Sequence, residues 1–352
     1  MLRFLYKRAL KPLLFRFDAE AVHRLFVDVG ELLGATRLGR WFVARLYGYR
    51  GPDISRVVDG LRFRTPVLLA AGFDYNGHLV RVLPSLGFGG QEVGSVTARP
   101  CLGNSPPRMT RLVRSRALVV YKGLKNDGVD AIVNRLLVKG KDPDYVLGIS
   151  IARTNDAGSA NLQAGIEDYA TSLATLVEAG VGDFYTINIS CPNVHGGESF
   201  AEPERVSALL TRLDAIDHPH PVYVKLPINP PWPEIHALLE VIAKHRVHGV
   251  VIGNLNKDYE RVAPEERPAA YRGGISGPSC RALSTALIRE TRATYGDRFT
   301  IIGCGGIESR EDALERLDAG ADLLQLITGM IFEGPHLMAD ICEALAERDT
   351  VD

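Results

Sequence analysis

The residues best suited to chemistry stand together in the run Ile187-Asn188-Ile189-Ser190-Cys191-Pro192-Asn193. It begins as an apolar strand (Phe184, Tyr185, Ile187, Ile189) and stops at a proline, which cannot continue a central strand. A thiol therefore sits where a buried strand opens into the Gly-rich loop Val194-His195-Gly196-Gly197, with an amide side chain on either side. A lone strand-end cysteine is ordinarily a packing residue. Two flanking amides, costly to bury without partners, argue for a polar ligand instead. Cys191 is therefore read as a catalytic base, with Asn188 and Asn193 holding a small polar ring. The second candidate is Lys225, on a strand otherwise made of Val222, Val224 and Leu226. Burying that ammonium requires an anionic or electron-rich ligand, or else a structural carboxylate.

The chain around these residues alternates short apolar strands with helix-length amphipathic segments. The expected strands are Val67–Ala71, Gln91–Thr97, Tyr145–Ile151, Asp183–Ser190, Val222–Leu226, Gly249–Gly253, Thr300–Gly303 and Leu323–Ile327. Most are β-branched without polar alternation, as strands covered on both faces should be. Eight such units in about 300 residues predict a (β/α)8 TIM barrel. A doubly wound sheet is the runner-up, but no GxGxxG follows the first strand. Barrel chemistry lies at the C-terminal strand ends. Those ends carry Ala71-Gly72, Ser95, Ser150, Asn188 with Cys191, Lys225, Asn254, Gly305-Gly306 and Thr328-Gly329.

Three glycine clusters fall late in the chain: Gly273-Gly274-Ile275-Ser276-Gly277, Gly303-Cys304-Gly305-Gly306 and Thr328-Gly329. The last two follow strands seven and eight, where barrels often bind phosphate with bare backbone N–H groups. FMN would supply that phosphate, and its reduced ring would be the electron-rich partner of Lys225.

Residues 1–50 read as helical. Leu2, Leu5, Leu10, Leu13, Leu14 and Phe17 form one apolar face among five basic residues. Asp18 is the expected N-cap of a second helix ending at Gly34, and a third covers about Leu38–Tyr47. Such a basic amphipathic pair either lies in a membrane interface or packs as a cap on its own barrel. Gly51-Pro52 marks the boundary, so the expected units are a helical domain over 1–50 and a barrel over 51–352.

The bulk numbers exclude several classes. A net charge of −1 gives no case for nucleic acid. Five scattered cysteines without a CxxC pair argue against a disulfide framework and against zinc. The histidines offer no ligand set, so no metal is expected. No apolar run approaches the roughly 20 residues that span a bilayer.

The stretches LLAAGFDYNG, GFGGQEVGSVTARPCLGNSPPRMTRL, INISCPN, VYVKLP, GGISGP, IIGCGGIES and GADLLQLITGMIFEGP are specific. Through them nearly the whole chain resembles the dihydroorotate dehydrogenase family, in its membrane-associated, quinone-using class 2. The resemblance implies FMN at the barrel mouth and an N-terminal helical pair forming a quinone tunnel. It makes Ala71, Gly72, Ser95, Asn188, Lys225, Gly277, Gly306 and Thr328 flavin contacts, joined by Ser150, Gly305 and Gly329. Asn188, Asn193 and Asn254 become substrate contacts, and His23 and Arg111 fall on quinone-tunnel positions. A base removes a C–H proton beside a carbonyl while a hydride passes to flavin N5, and quinone then takes the electrons.

The departures are as informative. The class normally has serine as base, and here it is Cys191, whose thiolate forms more readily. The family's AAG-x-D-K motif ends in Tyr75, so a lysine that helps hold the substrate carboxylate is missing. Its N-R-M-G-F loop reads Val120-Tyr121-Lys122-Gly123-Leu124, without the substrate-binding asparagine. Ser150, Gly253, Leu255 and Ile327 replace an asparagine, two threonines and a tyrosine.

Losing a cation and an amide from one ligand site removes bonds worth about 1.5–3 kcal/mol each. The first expectation is therefore a divergent enzyme acting on a cyclic amide other than dihydroorotate, with quinone as acceptor. The alternative is genuine dihydroorotate oxidation, with Tyr75 and Lys122 or Lys125 completing the substrate site. A catalytically silent membrane-surface relative is a third reading. The implied location is peripheral, on the cytoplasmic face of a bacterial inner membrane or on the mitochondrial inner membrane. Removing residues 1–50 would on this view spare flavin reduction and abolish turnover with quinone.

Overall fold

The computed structural model describes residues 2–190, 200–268 and 272–349. The eight β-branched runs are eight parallel strands: β1 (Val67–Leu69), β2 (Gly90–Val96), β3 (Val146–Ile151), β4 (Phe184–Asn188), β5 (Val222–Leu226), β6 (Gly249–Ile252), β7 (Thr300–Cys304) and β8 (Leu323–Leu326). They pair in chain order, and β8 closes on β1 through Leu324↔Val67 and Leu326↔Leu69. The expected (β/α)8 barrel is what the chain forms.

Side-chain alternation along the strands sorts the two faces. Val67, Leu69, Ile149, Ile187, Val224 and Val250 join the large core shared with the surrounding helices. Leu68, Val146, Phe184, Tyr223, Val251, Ile302 and Leu323 form a separate cluster inside the barrel. Phe63, from the antiparallel hairpin Arg56–Val58/Leu61–Phe63, plugs this floor and is fully buried. Two residues further along, the interior turns polar on three of the barrel strands that supply this cluster and small on the others. Phe184 is followed by Thr186 and Asn188, Tyr223 by Lys225, and Leu323 by Gln325. Asn188 and Lys225 are register partners on β4 and β5, so the period of two brings them to one level of the mouth.

The N-terminal part is helical, as expected. A first stretch runs Leu2–Leu5, a π turn Tyr6–Leu10, then Lys11–Leu14. The Asp18 carboxylate accepts from Ala21 N (2.8 Å) and starts α1 (Ala19–Ala35); Thr36 Oγ1 accepts from Gly39 N (2.9 Å) and starts α2 (Arg37–Tyr47). Gly34 does not end α1. It lies inside the helix, where a Cβ would stand 3.2 Å from Val82 N, so glycine serves close helix–barrel approach. Among the described residues, twelve of seventeen exposed large hydrophobics fall within residues 4–42, Leu32, Leu38 and Trp41 among them. Among the described residues, no helix is long and apolar enough to cross a membrane.

The Arg56–Phe63 hairpin and one further sheet escaped the sequence. A three-stranded antiparallel sheet (Met109–Leu112, Ala117–Val120, Gly274–Ile275) joins the β2–β3 connection to the first glycine cluster. Its strands have only two to four residues, too short to show a period. The long 255–272 connection is docked on it through residues 255–268. Glu266 accepts from Arg114 N and Ser115 N, both at 2.8 Å, and Asn256 bridges to Ile275.

Candidate active site at the barrel mouth

A single cavity of about 450 Å³ opens at the C-terminal strand ends and continues between α1, α2 and the barrel. The turn after β1 is built on Asp74, a buried carboxylate that accepts from His78 N (2.7 Å), Leu79 N (2.8 Å) and Gln91 Nε2 (2.9 Å). This holds Ala71, Gly72 and Tyr75 on the cavity wall. Gly72 needs its φ of +109° to turn its N–H onto Gly94 O (2.8 Å).

From β2, Ser95 lines the cavity, hydrogen-bonded to Ser150 Oγ (2.8 Å) and receiving Asn188 Nδ2 (2.9 Å). Ser150 itself is fully buried behind Ser95, so it supports the wall rather than facing the cavity. Lys225 is 6 % exposed, lines the cavity, and forms no hydrogen bond or ion pair among the described residues. Across the mouth, Gly277, Gly305, Gly306, Thr328 and Gly329 form a wall of small residues. Gly306 has φ +75°, and a Cβ there would lie 2.8 Å from Arg281 Cβ.

Two serines written into the sequence motifs without a role make contacts at the mouth. Ser276 Oγ and Thr328 Oγ1 share a hydrogen bond of 2.7 Å, and Asn254 Nδ2 donates to Ser190 Oγ at 2.5 Å. Both serines lie inside motifs singled out above, and only spatial neighbourhood reveals these hydrogen bonds. Cys191 and Asn193 lie outside the described residues. Cys304, a thiol lining the cavity, is kept protonated by burial, against the pull of Lys225.

Where the cavity passes from the barrel to the helices, His23, Phe73, Tyr75 and Lys122 meet. His23 Nε2 is 2.8 Å from Phe73 O. A carbonyl only accepts, so Nε2 carries the hydrogen and Nδ1 is a bare lone pair, buried without a partner. Burial, reinforced by Lys122, pulls the His23 pKa down to about 3, so the ring is neutral. It stacks on Tyr75 at 5.7 Å. Lys122 Nζ lies 4.5 Å from the Tyr75 ring centroid and 3.4 Å from Gly72 O, with no ion-pair partner among the described residues. Burial, opposed by Glu20, brings its pKa down to about 8.

Lys125 turns to Glu20 (3.4 Å), which also pairs with Arg108. Arg111 reaches the helical arm, donating to Phe17 O (2.8 Å) above the Phe15 ring. The cavity wall thus carries Arg111, Lys122, Lys125 and Lys225 and, among the described residues, no carboxylate. No group of three or more His, Cys, Asp or Glu able to hold a metal exists among those residues.

This architecture has close counterparts among known proteins. The family model of dihydroorotate dehydrogenase matches residues 54–348. A protein of Synechococcus sp. (strain JA-3-3Ab) named dihydroorotate dehydrogenase (quinone) is 38% identical, over 97% of this chain and 92% of its own length. One of the same name from Bordetella parapertussis is 36% identical, covering 96% of both chains. The crystal structure of the Eimeria tenella enzyme in complex with ferulenol superposes with TM-score 0.75 at 25% identity, over 88% of this chain and 89% of that one. The chain therefore belongs to the dihydroorotate dehydrogenase family, FMN-dependent oxidoreductases acting on CH–CH groups, and within it to the quinone-dependent class 2.

Proposed function

We propose that this protein oxidises dihydroorotate to orotate at the barrel mouth and passes the electrons to a quinone in the helical arm of the same cavity. The observation that carries this reading is the charge of the wall: four cations and, among the described residues, no carboxylate. Such a wall suits an anionic substrate beside a phosphate-bearing cofactor. The sequence-based preference for another cyclic amide rested on two losses from one ligand site, a lysine replaced by Tyr75 and a loop asparagine replaced by Val120. Lys122 weakens the first ground, because its ammonium lies over the Tyr75 ring and against Gly72 O. A cation is kept at the end of β1, supplied from another loop. The quinone-dependent relatives favour the same substrate.

FMN fits the small-residue wall, whose glycines leave backbone exposed where a Cβ would collide. Gly277, Gly305, Gly306, Thr328 and Gly329 would take its phosphate end, and Ala71, Gly72, Ser95, Asn188 and Lys225 its ring. Bound there, FMN supplies the hydride acceptor. Asn188, Asn193, Asn254, Tyr75 and Lys122 would orient the substrate, and Cys191 would remove the C–H proton as thiolate. His23 and Arg111 would meet the quinone, His23 with an acceptor lone pair suited to a quinol hydroxyl.

The exposed apolar residues within 4–42, interleaved with Arg and Lys, suit a membrane interface rather than a barrel cap alone. This supports a peripheral location on the quinone-bearing membrane and a helical unit over 1–50, outside the 54–348 family match. A second reading, a less anionic cyclic amide, keeps one ground: Val120 and Leu255 line the cavity where polar side chains would grip orotate.

The test is anaerobic bleaching of the bound flavin by dihydroorotate, set beside dihydropyrimidines and neutral cyclic amides. Bleaching by dihydroorotate at about 1–10³ s⁻¹ is expected. Fast bleaching by a neutral amide alone would refute the reading, and a colourless protein that takes up no FMN would favour a silent relative.

A further inference from the structure

The helix α3 (Thr328–Glu333) has one end on the cavity and the other in the grip of the N-terminal segment. At its start, Thr328 and Gly329 line the cavity, with Thr328 tied to Ser276. A Cβ on Gly329 would stand 2.0 Å from Ile307 O, so this turn has no slack. At its end, carbonyls that the helix cannot satisfy internally need outside donors. Residues near the chain start provide them: Tyr6 OH donates to Ile331 O (2.6 Å) and Lys11 Nζ to Phe332 O (3.1 Å). Phe15 packs edge-on against Phe332 at 5.3 Å.

The Glu333 side chain, 12% exposed, gathers three cations: Arg3 (3.5 Å), Lys7, and Arg116 (2.6 Å) of the three-stranded sheet. Hydrogen bonds and charge from Lys7 and Arg116 outweigh burial and hold its pKa below the ordinary carboxylate value. Without the carboxylate, Arg3 would keep Asp340 (3.0 Å) and Arg116 would keep Glu308 (3.2 Å). Lys7 would lose its ion-pair partner, and the N-terminal segment its charged link to the end of α3.

We propose that Glu333 is a positioning residue that makes docking of the N-terminal helix and retention of the cofactor a single equilibrium. Six residues span only about 9 Å, so a shift at the Glu333 end reaches the Thr328 end. The helical unit is then not a detachable lid, and its loss loosens the flavin as well as the quinone site. This rests on the proposed FMN site. It also assigns Arg3, Lys7, Tyr6 and Lys11, residues outside the barrel, a part in holding FMN.

The test follows FMN release from full-length protein by flavin fluorescence on dilution. Glu333→Gln is expected to raise the FMN dissociation constant tenfold or more, and Lys7→Met, which leaves the barrel untouched, several-fold. Coupling between sites is reciprocal. A short-chain ubiquinone should therefore slow FMN release from the wild type and have no such effect in Glu333→Gln. A merely structural Glu333 would lower the melting temperature and leave that quinone effect intact. Wild-type FMN affinity and an intact quinone effect in both variants would overturn the proposal. Should Glu333→Gln not fold, the Lys7→Met result decides alone. Wild-type protein that binds no FMN would instead remove the underlying site assignment.

Discussion

The two ends of the barrel interior are built from the same eight strands and have opposite character. The floor is hydrocarbon throughout: Leu68, Val146, Phe184, Val251, Ile302 and Leu323 closed by Phe63, with the Tyr223 hydroxyl given to Asp59 at 2.6 Å. The mouth, further along the strands, leaves polar groups short of partners among the described residues: Lys225 has no hydrogen bond or ion pair, His23 Nδ1 has no donor, and Lys122 has only Gly72 O and the Tyr75 ring. Buried polar groups in a folded protein are almost always satisfied. Leaving several open in one cavity costs stability that the floor supplies by packing, and it marks where ligands bind. The lesson is that function here is the absence of internal partners on an otherwise complete scaffold.

The sharpest way to break the contrast is Cys191→Ala. It should leave FMN bound and lower the rate of flavin reduction by dihydroorotate by about 10²–10⁴-fold, the usual worth of a positioned base. Anaerobic stopped-flow absorbance checks this, and undiminished reduction would remove Cys191 from the chemistry. The counterpart at the floor is Phe63→Ala, expected to cost about 3–5 kcal/mol of stability by emptying the plug. Denaturant titration measures it, with substrate KM unchanged in the folded variant.

Lys122→Met probes the relocated cation. A charge-assisted bond worth about 1.5–3 kcal/mol predicts a KM for dihydroorotate raised by roughly 10–150-fold, with kcat less affected. The Lys122 pKa of about 8 gives the same test a pH form. The ammonium is present below that value and lost above it. KM should therefore be flat through neutrality and rise beyond pH 8 in the wild type, and not in the variant. The smallest effect is expected at His23. With its pKa near 3, it stays neutral across ordinary assay pH, so it contributes no titration there. His23→Phe should raise the quinone KM several-fold and leave the dihydroorotate half-reaction alone. A pH dependence near 6.5 that vanishes in this variant would contradict the neutral ring.

The residues that sequence reasoning could place are those whose signal is local. Strand runs such as Val222–Leu226 coincide with the observed element, and the others fall within about two residues at their ends. Asp18 caps α1 as expected, because N-cap chemistry is decided within four residues. Gly34 was misread because a glycine near a helix end looks the same whether it stops the helix or admits a neighbour such as Val82. The pairing of Ala117–Val120 with Gly274–Ile275 and the Asn254–Ser190 bond were invisible for a related reason, since they join residues tens of positions apart or more.

By itself the chain's sequence determined the barrel, the family, and the strand ends at which chemistry would lie. Apolar periodicity is a property of neighbouring residues and is written directly in the order of the amino acids. Only the folded arrangement decided that Lys122 stands over Tyr75, that Ser150 hides behind Ser95, and that Glu333 pairs with Lys7 of the N-terminal segment. Those outcomes depend on distances between loops remote in the chain, which packing and charge settle in space and which spacing along the sequence does not encode.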